Sequence, residues 1–446
     1  MEPRRRVSRA ALLYALAAGG ARLCAALLAV GTLGSAALGG EPLTLAQALG
    51  RTLERSPELR PFDPGRRALE AERLQAGLRP NPELSADLEN FGGNGAVSGA
   101  KGLETTLTLS QLVELAGKRK RRVGVAAAEL ESLDAEYAVA RLDVLAETAS
   151  RFTDVAEAQA VVEVALRGIA LAEQAQETIE RRVRAGATST AERSRNAIVL
   201  VRARLAADRA RSELESRRVS LAAMWGDTAA DFSEVSADLA QLPELGSLAP
   251  LVDQLVASPE LFRFASERRL REAELKLARA QRIPDLSLGV GARRLNEGDD
   301  VGLVAGVSMP LPVFDRNQGG IAASRARIAR TDALRDAALL RSRGILFGLY
   351  QAAQQARAQA IALERDAIPQ AEEALALTQR GYANGRFSFL DLADVQRQVL
   401  ELREQVIAEQ ANAHRLDAEI ERLTGASIVS QGVPLTPPTE KPGDPR

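Results

Sequence analysis

Pro82-Glu83-Leu84-Ser85-Ala86-Asp87-Leu88-Glu89 decides how this chain folds, because here the apolar period falls from about 3.6 residues to about 2. Leu84, Ala86 and Leu88 alternate with Ser85, Asp87 and Glu89, giving one aliphatic and one polar face. Gly92-Gly93-Asn94-Gly95 breaks the pattern. Leu103, Thr105, Leu107 and Leu109 then alternate with Glu104, Thr106, Thr108 and Ser110. The spacing predicts a strand hairpin over 83–113, each strand about 10 or 11 residues long, the length a tilted strand needs to cross a bilayer. Acids and hydroxyls on one face and aliphatics on the other suit a wet lumen and a lipid exterior. A surface hairpin of a soluble domain shares this alternation, and only Phe91 supplies an aromatic at a strand end.

The same text returns about 200 residues later. Ser56-Pro57-Glu58-Leu59 recurs as Ser258-Pro259-Glu260-Leu261, and Pro82-Glu83-Leu84-Ser85 as Pro284-Asp285-Leu286-Ser287. Leu286, Leu288 and Val290 alternate with Ser287, Gly289 and Gly291. Past Asn296-Glu297-Gly298-Asp299 come Leu303, Ala305, Val307 and Met309, predicting a second hairpin over 285–313. So long a period marks a tandem duplication and no solenoid.

Around each hairpin the sequence reads as helix. Thr44 to Arg55 and Gly65 to Arg79 precede the first one. Lys118 to Arg184 holds no proline and predicts a helix of roughly 100 Å. Its counterpart, Ile321 to Tyr382, is interrupted only by Pro369, where a kink is expected. Shorter helices return over Ser189 to Trp225 and Ser388 to Thr424. The organisation is thus a first repeat over 41–226, a connector over 227–247 and a second repeat over 248–425. The Pro-rich, charged tail 426–446 is expected to be disordered. Residues 1–40 read as an export signal: four arginines, then an apolar small-residue run with small residues before Glu41. Arg22 splits that run into pieces too short for an anchor, and Leu23 stands before Cys24 where a lipoprotein signal has a small residue.

The bulk numbers exclude several classes. With 46% hydrophobic residues, 26% charged and a net charge of −1, nothing argues for nucleic acid. Aromatics are only 3%, and an alanine-rich apolar set suits close contact between long helices. One Cys, one His and three Met leave no basis for a zinc site, thiol catalysis or a cofactor. His414 falls mid-helix with no nucleophile nearby, so no enzyme is expected.

Four strands in lipid cannot close, and unpaired edges cost several kcal/mol per group. Two chains would give about eight strands with a lumen filled by side chains; three give about twelve and room for a pore. Closure therefore demands partners, and favours a homotrimer if the protein conducts.

The helix tips match without a gap: Arg184-Ala185-Gly186-Ala187-Thr188-Ser189-Thr190-Ala191-Glu192 and Ala383-Asn384-Gly385-Arg386-Phe387-Ser388-Phe389-Leu390-Asp391. Gly186 and Gly385 are expected to end one helix in the left-handed region. Ser189 and Ser388 are expected to cap the next in capping boxes with Glu192 and Asp391. Such tips are either purely structural or places where a docking partner is met. Asp391 and Asp394 share a face of one helical turn; they are either plain first-turn acids or, in a threefold tube, rings of charge able to constrict. Lys118-Arg119-Lys120-Arg121-Arg122 opens the long helix against its dipole, as a solvated cluster or a contact with anionic lipid headgroups.

With these motifs the chain resembles the TolC-type outer-membrane efflux family over residues 43 to 425. The duplication, the paired Gly-x-x-Ser-x-x-acid tips, Arg79-Pro80-Asn81-Pro82-Glu83-Leu84 and Met309-Pro310-Leu311-Pro312-Val313-Phe314-Asp315 carry the likeness. Glu89-Asn90-Phe91-Gly92-Gly93 and Gln111-Leu112-Val113-Glu114-Leu115-Ala116-Gly117-Lys118-Arg119 look like the heavy-metal, CzcC-like branch. The resemblance implies an α+β membrane protein: a trimeric twelve-stranded barrel in the outer membrane of a Gram-negative bacterium, continued by a helical periplasmic tunnel. It implies docking to a periplasmic adaptor and an inner-membrane RND pump, as the exit duct of a tripartite system for heavy-metal cations. Tyr382, Arg386, Asp391 and Asp394 would form the periplasmic gate, although Phe387 stands where some members have Arg. Two alternatives remain at this point: a duct for drugs or type I protein secretion, and a soluble periplasmic coiled-coil scaffold.

Overall fold

The computed structural model describes residues 42–95 and 102–425, so the export signal and the tail lie outside the described residues. The first repeat runs β1 (Leu43–Thr44), α1 (Leu45–Arg55), α2 (Phe62–Ala76), β2 (Glu83–Glu89), β3 (Glu104–Val113), α3 (Lys118–Arg184) and α4 (Thr190–Ala222). The connector holds β4 (Val235–Ser236). The second repeat runs α5 (Leu248–Val256), α6 (Pro259–Gln281), β5 (Leu286–Leu295), β6 (Asp300–Ser308), α7 (Gln318–Ala362), α8 (Ile368–Ala383) and α9 (Phe389–Thr424).

The two hairpins join into one antiparallel sheet, ordered β2-β3-β5-β6. Its register sorts the faces as the alternation predicts. Ala86 lies opposite Leu107, Leu107 opposite Ala292, and Ala292 opposite Leu303, all on one side. On the other side Asp87 lies opposite Thr106, Thr106 opposite Arg293, and Arg293 opposite Gly302. The aliphatic side is bare: Leu84 is 71% exposed and Leu303 94%. On the polar side the Arg293 guanidinium donates to Glu104 at 2.9 Å and to the Thr106 hydroxyl at 3.0 Å, and pairs with Glu89 at 3.2 Å. Two strands are shorter than expected. β2 stops at seven residues because Asn90 takes a positive φ of 57°. β6 stops at Ser308, since Pro310 and Pro312 lack the N–H a ladder needs.

The α3 helix spans 67 unbroken residues, with the bounds the sequence predicts. The interruption expected at Pro369 is a π turn, Leu363–Ala367, between α7 and α8. Proline removes one helical hydrogen bond and clashes with the carbonyl four residues back, and the widened turn accommodates both. Packing along the helices relies on small residues, with Ala207, Ala353 and Ala411 at 0% exposure. The connector is clamped, not loose. β4 pairs with β1, Gln159 holds both backbone groups of Val235, and Phe232 and Val235 join Trp225 and Leu221 in one apolar cluster. Among the described residues no helix is long and apolar enough to cross a membrane.

Candidate functional site: the helix tips and the base of the sheet

Both tips close in the same way. Gly186 and Gly385 take φ of 70° and 72°, the left-handed conformation that glycine adopts without strain. The Ala187 N–H then bonds the Arg182 carbonyl and the Arg386 N–H the Gly381 carbonyl, both at 2.8 Å.

The side chains differ. At the second tip the expected capping box forms: the Asp391 N–H donates to the Ser388 hydroxyl at 3.2 Å, and the Ser388 N–H to the Asp391 carboxylate at 2.9 Å. These donors, the Ser388 backbone first and its hydroxyl second, hold the Asp391 carboxyl below the usual carboxylate range. At the first tip the expected box is absent, for Ser189 makes no side-chain cap. Glu192 instead accepts the Tyr382 hydroxyl from the other repeat at 2.7 Å. A hydrogen bond to a charged acceptor outweighs one more cap on an exposed turn.

Tyr382 is 1% exposed, enclosed with Ile179, Leu375, Phe389 and Leu392. Arg182 lies over its ring at 4.7 Å and also donates to its carbonyl and to that of Ala187. Burial first, then the bond to Glu192, pushes the Tyr382 hydroxyl up. Of the expected gate residues, then, Tyr382 is locked inside its own chain. Arg386, Asp391 and Asp394 are exposed, and Asp394 is engaged by Arg397 and Gln398. Arg182 was not singled out from the sequence; Tyr382, whose ring and carbonyl it holds, lies 200 positions away.

The basic run at the base of the sheet divides. Lys118 is buried against Asp285 at 2.8 Å, and Asp285 also accepts the Leu115 N–H at 3.0 Å. Arg122 bonds Glu114 and the Leu78 carbonyl. One helical turn apart, these two face inward, which corrects the expectation that all five cations are free for lipid or solvent. Arg119, Lys120 and Arg121 point outward and are exposed. His414 sits beside the Leu239 carbonyl at 3.3 Å, part of the connector's packing.

A sheet with one bare aliphatic face and two open edges, carried on helices far longer than a bilayer is thick, defines an outer-membrane channel subunit. The chain belongs to the outer membrane efflux protein family, which matches it over residues 48–227 and 251–426. It is 29% identical to the cobalt-zinc-cadmium resistance protein CzcC of Cupriavidus metallidurans over 391 residues, 86% of this chain and 90% of that one. It is 26% identical to the nickel-cobalt-cadmium resistance protein NccC of Alcaligenes xylosoxydans xylosoxydans over 270 residues, 60% of this chain and 61% of that one. The fold is that of the crystal structure of CusC, described with its transmembrane channel formation, with a TM-score of 0.72 at 15% identity, covering 85% of this chain and 91% of that one.

Proposed function

We propose that three copies of this chain form the outer-membrane exit duct of a tripartite efflux system whose cargo is heavy-metal cations. One observation carries the reading. The lipid-faced sheet ends in two strands, β2 and β6, with no outer partner among the described residues. Pairing β6 of one copy with β2 of the next closes a barrel of about twelve strands, the smallest trimeric solution with a conducting lumen. The polar face, with Glu83, Asp87, Glu89 and Glu104, would then line the pore. Metal cargo is supported by the relatives whose names record cobalt, zinc, cadmium and nickel resistance. With one His and three Met in the chain, selection among metals would rest with the inner-membrane RND pump.

The tips, Gly186, Ser189 and Glu192 with Gly385 and Ser388, are the docking surface for a periplasmic adaptor. A groove opening beside them is lined by Val199, Leu390, Ala393 and Leu400, apolar contacts for a partner helix. Tyr382, Arg386, Asp391 and Asp394 form the periplasmic constriction, Tyr382 by fixing the tip and the two aspartates by their charge. Planar-bilayer recording on the purified oligomer tests the duct, and Asp391→Ala with Asp394→Ala should raise its single-channel conductance. Absence of any conductance would reject the duct. Unchanged metal resistance after deletion from cells that keep the pump would reject the cargo.

A further inference from the structure

The same end of the sheet carries two features that neither the pore nor the tips use. The first is a set of cations without counterions. β3 and β6 run parallel to each other and end level, Val113 opposite Leu286 and Ser308 opposite Ser287. Around that level lie Arg79 before β2, Arg282 before β5, Arg119, Lys120 and Arg121 on the first turn of α3, and Arg316 before α7. All six are exposed, and none forms an ion pair among the described residues. Of the neighbouring acids, Asp285 is engaged by Lys118, Glu114 by Arg122 and Asp315 by the Asn317 N–H, while Glu83 lies on the polar face of β2. Elsewhere arginines are commonly paired across helices, as Arg415 is with Asp154 and Glu157.

The second feature is an apolar strap. Between β6 and α7, Leu311 is 74% exposed, Val313 60% and Phe314 92%. It is held in place from behind. Asn317, at a positive φ of 53°, donates to the Ala278 carbonyl at 2.8 Å and to Gln281 at 3.2 Å. Gln318 donates to the Phe314 carbonyl at 3.1 Å. Gly320 leaves the room this needs, because a Cβ there would come within 2.3 Å of the Asn317 amide oxygen. A phenyl ring fixed in the open beside unpaired cations fits the border between acyl chains and headgroups.

We propose that this level of the chain is a phospholipid-binding collar. The six cations hold anionic headgroups of the periplasmic leaflet, and the Val313–Phe314 strap enters the acyl region below the barrel. One observation favours lipid over a second copy of the chain as the cover of the strap. The strap continues the aliphatic face of β6, where Val301 and Val307 are also exposed. The proposal rests on the outer-membrane duct reading, for it needs the sheet in lipid.

The test is the thermal midpoint of the purified full-length oligomer in neutral detergent, with added phosphatidylglycerol or phosphatidylcholine, alongside the anionic lipid retained in native mass spectra. Wild-type protein should gain more from phosphatidylglycerol. R119Q/K120Q/R121Q should lose that difference and retain about tenfold less anionic lipid. F314A should gain less from both lipids while keeping the difference between them. If the triple variant fails to assemble, R79Q/R282Q gives the same reading from the other side. The collar is overturned if the charge variants keep the full difference, or if inorganic phosphate alone reproduces it. It is also overturned if F314A dissociates the oligomer with its lipid response unchanged, since the strap would then be covered by a second copy. Loss of wild-type conductance would strike the duct and leave the lipid response to be read on its own.

Discussion

The two helix tips share one turn and divide its work. Aligned through Gly186 and Gly385, Arg182 matches Gly381, Val183 matches Tyr382, Thr188 matches Phe387 and Glu192 matches Asp391. The backbone closes alike in both, by the same pair of hydrogen bonds. The second tip is self-sufficient, its serine and aspartate capping their own helix. The first tip has no side-chain cap, and its Arg182 and Glu192 are both committed to Tyr382 of the other repeat. One repeat carries the local solution, and the other carries a bond between the repeats in its place. That bond adds to the packing of Ile179 against Leu375 and Tyr382 in tying the two helix pairs into one tip.

The largest test of that division is Tyr382→Ala. It empties a fully buried site, removes the partner of Glu192 and uncovers Arg182, and should cost about 3–5 kcal/mol of local stability. Tyr382→Phe keeps the packing and should cost only about 1–2 kcal/mol. Both are read from amide exchange over 179–192 and 375–392, and protection at both tips should fall together. Loss confined to the second tip would show that the repeats are not coupled there.

Gly381→Ala comes next. A Cβ at this position would stand 2.1 Å from the Phe387 ring, which lies over it. The ring must swing away, at about 1–3 kcal/mol. Its counterpart in the first repeat is already the long side chain of Arg182, because there the matching cover is the smaller Thr188. The paired change Gly381→Ala with Phe387→Thr should recover part of the loss in the same exchange experiment; no recovery would mean the clash lies elsewhere.

How far the sequence foretold this follows from the range of each interaction. The four strands, the bounds of α3 and both glycine turns rest on periodicity and on residues a few places apart, and they were legible. So was the Ser388–Asp391 box, whose partners are three residues apart. Glu192 met the same local rule and was misread, because its real partner is 190 positions distant. Lys118 was misread for the same reason: a run of five cations looks solvated until the fold carries Asp285 beside it. The connector over 227–247 gave no periodic signal, yet Val235 of β4 and Phe232 complete a core built mainly from α1, α3 and the end of α4 with Trp225 just beyond it. Local grammar decides which elements exist, whereas packing between the repeats decides which polar groups are left over for function.

The smallest effect separates the tips most cleanly. Ser388→Ala should cost about 1 kcal/mol at the start of α9, whereas Ser189→Ala should stay within about 0.5 kcal/mol at the start of α4. Acid should make the same distinction without a mutation. The Asp391 carboxyl titrates lower in the fold than its ordinary 3.8, so its contribution is fully present above that value and is lost as pH falls through the depressed one. Protection factors of the α9 first-turn amides should therefore decline only below about pH 4 in wild type, and the decline should shrink in Ser388→Ala, which loses the hydroxyl bond to the carboxylate and keeps the backbone N–H bond. A decline already complete at pH 5, or one that survives Ser388→Ala unchanged, would show that the second tip is not held by its own cap.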